Sequence, residues 1–64
     1  MTNLKRIRKA SGLSQTQLSE LSGVSMRMIS KYETGEKDIN KAHALTVFKL
    51  AEVLGVTVEE LLEK

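Results

Sequence analysis

Polar and cationic side chains recur at helical spacing between Ser25 and Thr34. In a helix, successive residues lie about 100° apart, so Ile29 and Tyr32 share one apolar face. The outward face then carries Arg27, Ser30, Lys31 and Thr34. A helix that reads base edges in the major groove of DNA needs long hydrogen-bond donors on its outer face and near its first turn. The spacing therefore makes this stretch a candidate for a DNA-reading helix.

Arg27 is the strongest candidate for reading a base, because its planar guanidinium group matches the O6 and N7 acceptors of guanine. Lys31, one turn later, is placed to reach a base or a phosphate. Ser25, Met26 and Ser30 are expected to touch base edges or a thymine methyl group. The alternative is that Arg27 and Lys31 form an ordinary solvated helix face.

Other residues are placed to hold the phosphate backbone of DNA. Gln15 lies at the start of a predicted helix, where free backbone N–H groups and the helix dipole favour an anion. Lys37 and Lys41 flank the start of a later predicted helix, near Asn40, and Thr34 lies outward at the end of the reading helix. The alternative roles are helix capping for Gln15 and loop solubility for the two lysines.

Arg8 and Glu33 carry opposite charges at positions that border the apolar faces of their helices. An unpaired charge at the edge of a core is costly, so we expect these two side chains to form an ion pair. We assign this pair to structure, with an indirect role in orienting the reading helix. Lys5, Arg6 and Lys9 are expected to form a solvated face, with a phosphate contact as the alternative.

Five short helices are predicted to position these side chains, with capping residues at their starts and glycines near most of their ends. They run from Asn3 to Ser11, from Ser14 to Gly23, from Ser25 to Gly35, from Asn40 or Lys41 to Leu54, and from Thr57 to about Glu63. Ser14 with Gln17, and Thr57 with Glu60, form capping-box patterns. No stretch alternates long enough to predict a strand.

Each predicted helix has apolar residues on one face. These residues are Leu4, Ile7 and Ala10; Leu18 and Leu21; Ile29 and Tyr32; Leu50, Ala51 and Leu54; and Leu61 and Leu62. Helices of this length are unstable alone, so they must pack into one cluster. We therefore predict a compact all-α fold and a single domain over residues 1–64.

The second and third helices are joined by the short turn Ser22–Ser25, which is typical of a helix-turn-helix. Gly23 can adopt positive φ in this turn at low cost. Leu18 and Ile29 are apolar where the two helices must meet, and Ser19 is small where they approach closely. In such an arrangement the second helix enters the major groove.

A resemblance to a known family extends over nearly the whole chain. It is carried by the segments Leu4–Gly12, Leu13–Ser25, Ile29–Gly35 and Lys49–Val56. These segments resemble the Cro/CI-type (XRE-like) helix-turn-helix family. The resemblance implies a five-helix, lambda-repressor-like DNA-binding domain of a transcriptional regulator. It also implies that Gln15 clamps the DNA backbone and that Arg8 pairs with Glu33.

Two positions depart from the family pattern. Ser19 stands where alanine is more usual, although serine is small enough to fit. No proline occurs in the loop after Gly35, where many relatives carry one. The path of that loop is therefore less predictable from the resemblance.

The composition excludes several kinds of site. The chain has 64 residues, no cysteine and one histidine, His43. It therefore lacks a disulfide and the roughly four ligands of a structural zinc site. We expect no cofactor and no enzyme activity, because the chain also lacks a glycine-rich phosphate loop. The acidic residues Glu59, Glu60 and Glu63 are expected to form a solvated face.

Charge is unevenly distributed along the chain. Residues 1–41 contain eight lysines and arginines against four acidic residues, whereas residues 42–64 contain two lysines against four acidic residues. The basic part is suited to face a polyanion such as double-stranded DNA. The longest apolar-leaning run, Ala42–Phe48, is too short to span a bilayer. We therefore expect a soluble, cytoplasmic protein.

The sequence favours a regulator that represses transcription by occupying an operator. The alternative is a protein-interaction module, either antitoxin-like or an anti-regulator partner. Met26 and Met28 are consistent with this alternative, because methionine is suited to adaptable contact surfaces. We expect a weak homodimer that forms mainly on DNA through the Leu54–Lys64 end, with Val56, Val58 and Leu61 at the interface. The alternative is that Val56, Leu61 and Leu62 only close the core. No site for a small-molecule effector is evident.

Overall fold

The computed structural model describes residues 1–64 and contains five α-helices and one short 3₁₀ turn. The helices are α1 (Asn3–Ala10), α2 (Gln15–Ser22), α3 (Met26–Thr34), α4 (Ala44–Leu54) and α5 (Val58–Leu61), and the 3₁₀ turn is Ile39–Lys41. No strand is present, and the predicted all-α fold is confirmed. None of the helices combines the length and the hydropathy needed to cross a membrane.

The first three helices begin with side-chain caps, of which Ser14 and Ser25 were predicted. Thr2, Ser14 and Ser25 each accept a backbone N–H with the side-chain oxygen. At α2 the capping box is complete: Ser14 Oγ accepts the N–H of Gln17 at 3.0 Å, and Gln17 Oε1 accepts the N–H of Ser14 at 2.8 Å. A good cap contributes about 1 kcal/mol, which is substantial for so short a helix.

The five helices share one apolar core, and each supplies a large side chain that is at most 1% exposed. These side chains are Leu4, Leu18, Ile29, Leu50 and Leu61, in the order of the helices. A helix of four residues, such as α5, has no stability of its own in water. Leu61 therefore holds α5 in place through tertiary packing.

The prediction that Ala10 and Leu21 point into the core is wrong, because both residues are exposed. Helix α2 buries Leu18 and Ser22, which are one turn apart, so Leu21 lies on its flank. Ala10 is the last residue of α1 and lies where the chain leaves the core. The buried faces of α1 and α2 are therefore narrower than the apolar pattern predicted.

Helix α4 begins later than predicted. It starts at Ala44, whereas the sequence predicted a start at Asn40 or Lys41. The 3₁₀ turn occupies those positions because Asp38 Oδ1 accepts the N–H of Asn40 at 2.9 Å and Ile39 is buried in the core. The loop between α3 and α4 is therefore anchored to the core by Ile39 before α4 starts.

Helix α5 is shorter than predicted and ends at Leu61 rather than near Glu63. Its predicted capping box, Thr57 with Glu60, is present. Beyond α5, Glu63 Oε2 accepts the N–H of Asn3 at 2.6 Å. Glu63, which was expected on a solvated face, thus fastens the end of the described chain to the start of α1.

Candidate nucleic-acid interface

The turn between α2 and α3 sets the angle between the two helices. Gly23 has a φ of +77°, and its N–H donates to the carbonyl oxygen of Ser19 at 2.9 Å. Ser22 Oγ then accepts the N–H of Val24 at 3.2 Å, and Val24 is buried. The turn is therefore closed by hydrogen bonds and anchored in the core, as a rigid helix-turn-helix requires.

Helix α3 packs by one face and leaves the other exposed. Ile29, Tyr32 and Glu33 are buried. Arg27 is exposed on the opposite side, and the side chain of Met26 is also exposed near the start of the helix. The structure thus places Ile29 and Tyr32 inward and Arg27 outward, as the helical spacing predicted.

Ser30 and Lys31 are partly exposed on α3. Lys31 Nζ lies 3.7 Å from Glu36 Oε2. Exposed ion pairs of this kind contribute about 0–1 kcal/mol, and salt weakens them further. Little free energy therefore holds Lys31 away from a competing anion such as a DNA phosphate.

The first turns of α2 and α3 meet at the exposed end of the helix-turn-helix. Thr16 Oγ1 donates to Met26 Sδ at 3.3 Å, and Ser25 Oγ accepts the N–H of Met28 at 3.2 Å. The hydrogen of the Ser25 hydroxyl is still available to an acceptor on DNA. The sequence did not predict the contact between Thr16 and Met26, because the two residues lie on different helices.

Gln15 connects the start of α2 with α3. Its Nε2 donates to Glu33 Oε1 at 3.0 Å, and its side chain is partly exposed. A side-chain amide nitrogen carries two hydrogens, so one N–H remains for a second acceptor. The same side chain can thus support the fold and donate to a phosphate.

Arg8 and Glu33 form a buried, bidentate ion pair between α1 and α3. Arg8 Nε donates to Glu33 Oε2 at 2.5 Å, and Arg8 Nη2 donates to Glu33 Oε1 at 3.0 Å. Arg8 Nη1 donates to the carbonyl oxygen of Leu13 at 2.7 Å. One guanidinium group therefore fixes α3 to α1 and to the loop that leads into α2.

The environment of this pair shifts both pKa values toward the charged forms. The pKa of Arg8 is raised, mainly by its hydrogen bonds to Glu33, which outweigh the effect of burial. Burial by itself would raise the pKa of Glu33, but the hydrogen bonds from Arg8 and Gln15, together with the charges of Arg8 and Lys5, lower it. Both groups therefore remain charged at neutral pH.

A cleft lies between α3 and the segment that leads into α4. Its volume is about 340 Å³, and its lining includes Met28 and Tyr32 on one side and Lys37, Lys41 and His43 on the other. The two predicted phosphate-binding lysines are thus brought together beside α3. His43 occupies the N-cap position of α4 and makes no capping hydrogen bond with its side chain. No group of three or more acidic, histidine or cysteine side chains is arranged to hold a metal ion.

Thr34 is exposed, but its hydroxyl group is already engaged at the end of α3. Thr34 Oγ1 donates to the carbonyl oxygen of Lys31 at 3.2 Å and accepts the N–H of Glu36 at 3.3 Å. Its hydrogen must leave the Lys31 carbonyl before it can reach a phosphate. Thr34 is therefore the weakest of the predicted phosphate contacts.

The Leu54–Lys64 end, predicted as an interface between two copies, is largely packed against the core. Leu54 and Leu61 are buried, and Val56 and Val58 are half-buried against the core cluster. This end therefore offers a partner little apolar surface. The exposed large apolar side chains of the helices lie elsewhere, at Leu21, Met26, Leu45 and Phe48.

Comparison with known proteins agrees with this geometry. A helix-turn-helix family model matches residues 4–61, which extend from the first to the last fully buried side chain of the core. Searches of curated proteins and of solved structures found no significant match. The chain therefore belongs to the Cro/CI-type (XRE-like) helix-turn-helix family and is a regulator that binds double-stranded DNA.

Proposed function

We propose that this protein is a transcriptional repressor that occupies an operator and reads its sequence with α3. The observation that carries the proposal is the exposed polar outer face of α3, on a helix whose inner face is buried. Base readout requires donors that are held in a reproducible position. The packing of Ile29 and Tyr32, and the ion pair between Arg8 and Glu33, support such a position.

Five residues at the start and along the outer face of α3 are assigned to base readout. Arg27 donates to the O6 and N7 atoms of a guanine, and Met26 contacts a thymine methyl group. Ser25 and Ser30 donate to base edges. Lys31 leaves Glu36 and reaches a base or the adjacent phosphate.

Four residues are assigned to the DNA backbone and set the register of α3 in the groove. Gln15 donates its remaining N–H to a phosphate at the start of α2. Lys37 and Lys41 place two positive charges beside the cleft next to α3. Thr34 contributes only if its hydroxyl group exchanges the Lys31 carbonyl for a phosphate oxygen.

Two copies of the chain are expected on one operator. A single domain of this kind covers one half-site, and two-fold dimers place their reading helices about 34 Å apart along the DNA. Occupation of an operator is sufficient to exclude a competing protein, so repression requires no chemistry beyond binding. We propose that the two copies associate weakly and mainly on DNA.

The test is the selection of bound sequences from a random duplex pool, followed by affinity measurements at physiological salt. We expect a two-fold consensus that binds at least about 10³-fold more tightly than random duplex. Equal affinity for the selected and the random duplex would refute sequence-specific recognition.

A further inference from the structure

Helix α4 carries exposed apolar side chains that serve neither the core nor the proposed DNA contacts. Leu45 is 62% exposed and Phe48 is 51% exposed. The buried face of α4 consists of Val47, Leu50, Ala51 and Leu54. At about 100° per residue, the opposite side of the helix presents a different set. This set, the α4 outer face, consists of Leu45, Phe48, Lys49 and Glu52.

The charges of the α4 outer face are compatible with contact to the same face on a second copy of the chain. Lys49 and Glu52 cancel one another, so the face neither attracts phosphate nor repels an identical face. A two-fold interface brings the same patch of each subunit together. When two α4 helices pack in this way, Lys49 of one copy can approach Glu52 of the other around a centre formed by Leu45 and Phe48.

The position of the α4 outer face also suits an interface between two copies on DNA. Helix α4 starts directly after the segment of Lys41 and His43, which lines the cleft beside α3. An interface at Leu45 therefore adjoins the surface proposed to face the DNA. The Cα extents of the molecule are 24 × 22 × 22 Å. Two touching copies of this size can place their reading helices about 34 Å apart.

We propose that a second copy of this chain docks on the α4 outer face, with Leu45 and Phe48 at the centre of the interface. The inference rests on the proposed function, because DNA brings the two copies together. The two apolar side chains expose on the order of 200 Å², whereas a stable interface needs about 800 Å² from each partner. The contact is therefore weak in solution, where it forms only at high protein concentration, and DNA strengthens it by holding both copies on adjacent half-sites.

The first experiment compares binding to a complete two-fold operator with binding to an isolated half-site. The test variant is Leu45→Ser with Phe48→Ser, which adds no charge. The matched control is Leu21→Ser, because Leu21 is an equally exposed leucine, at 64%, on a different helix. We expect the double variant to bind the half-site like the unchanged protein. On the complete operator, its affinity should fall about tenfold or more, and the Leu21 variant should show no such loss.

Two results would overturn the assignment. One is an unchanged affinity of the double variant for the complete operator, which would show that the face serves another partner or none. The other is an equal loss in the Leu21 variant, which would show that the effect does not belong to α4.

The second experiment does not depend on the operator. The chain contains no cysteine, so Leu45→Cys and Leu21→Cys each introduce a single thiol. A short bis-maleimide reagent, applied to concentrated protein without DNA, should link Leu45→Cys into dimers and leave Leu21→Cys monomeric. If the selection finds no operator but these dimers form, the proposed function fails and the interface stands. If the selection succeeds and the Leu45→Cys protein stays monomeric in this assay and when bound to the operator, the interface fails and the proposed function stands.

Discussion

Arg8 and Arg27 carry the same guanidinium group in opposite environments. All three nitrogens of Arg8 donate within the protein, two to Glu33 and one to the carbonyl oxygen of Leu13. Arg27 is exposed on the outer face of α3. The position of each residue on its helix, and not its type, therefore makes Arg8 part of the folded core and leaves Arg27 accessible for the contact with DNA that we propose.

Arg27→Ala should weaken binding to the selected operator by about 1–3 kcal/mol and relax selectivity at one base pair per half-site. The reason is the loss of a bidentate contact to guanine. Lys41→Ala is the contrasting variant, because a lost phosphate contact should weaken binding to every sequence alike. Competition assays against operators with single base-pair changes measure both effects. If Arg27→Ala keeps the full selectivity, another residue reads that base.

Glu33 should make the free energy of unfolding depend on acidic pH. Its pKa is lowered in the folded protein relative to the ordinary value of 4.5. The carboxylate therefore stabilises the fold fully above that ordinary value, and this contribution is lost as the pH falls through the lowered value. Glu33→Gln should cost about 3–5 kcal/mol at neutral pH, because it leaves Arg8 buried without a countercharge.

Urea denaturation between about pH 7 and about pH 3 gives the unfolding free energy of the unchanged protein and of Glu33→Gln as a function of pH. The difference between the slopes of these two pH profiles measures the contribution of the Glu33 carboxylate. We expect the unfolding free energy of the unchanged protein to fall more steeply on acidification. Parallel pH profiles would show that the ion pair does not stabilise the folded state.

At the scale of elements, the helix-turn-helix depends on short signals at helix ends. Ser14 and Ser25 begin α2 and α3, and Gly23 ends α2 with a left-handed backbone. Each serine cap contributes about 1 kcal/mol. Because α2 and α3 have only eight and nine residues, these contributions decide where each helix starts and stops.

Gly23→Ala should destabilise the protein by about 1–2 kcal/mol through backbone strain alone. A Cβ at this position meets no atom within 4 Å, so a steric clash does not add to the cost. Gly23→Asn is the matched control, because asparagine tolerates positive φ better than alanine does. In thermal denaturation monitored by circular dichroism, we therefore expect the unchanged protein to be the most stable, Gly23→Asn to be intermediate and Gly23→Ala to be the least stable. Equal stability of the two variants would exclude backbone strain as the cause.

At the scale of the whole molecule, contacts distant in sequence close the fold. Asn3 donates its N–H to Glu63 at 2.6 Å, and Asn40 accepts the N–H of Glu63 at 2.8 Å. These contacts hold the segment after α5 against the start of α1 and against the 3₁₀ turn. The 3₁₀ turn anchors the segment that leads into α4, and this segment lines the cleft that contains Lys37 and Lys41.

The assembled protein should bind its operator with a steep dependence on salt. Two copies with about six to ten phosphate contacts in total give a slope of log K against log salt of about −5 to −9. Lys41→Ala should reduce the magnitude of this slope by about 1 for each copy. Fluorescence anisotropy titrations over a range of potassium chloride concentrations measure the slope. A slope near zero would contradict the assignment of Lys37 and Lys41 to phosphate contacts.

The sequence by itself determined the local features of this protein. Caps such as Ser14 and Ser25, the glycine of the turn and the inward pair Ile29 and Tyr32 were all predictable. Each of them depends on interactions within a few residues of the chain, which spacing and residue type describe. The outward position of Arg27 followed from the same periodicity.

Only the tertiary structure decided features that depend on distant neighbours. Leu21 matches the apolar pattern of α2, yet it is exposed because no other helix covers that flank. Helix α4 starts at Ala44 because Asp38 and buried Ile39 hold a separate turn before it. The role of Glu63 could not be predicted from local sequence either, because its partner Asn3 lies at the other end of the chain. Periodicity reports which side chains share a face, whereas packing alone determines which faces are covered.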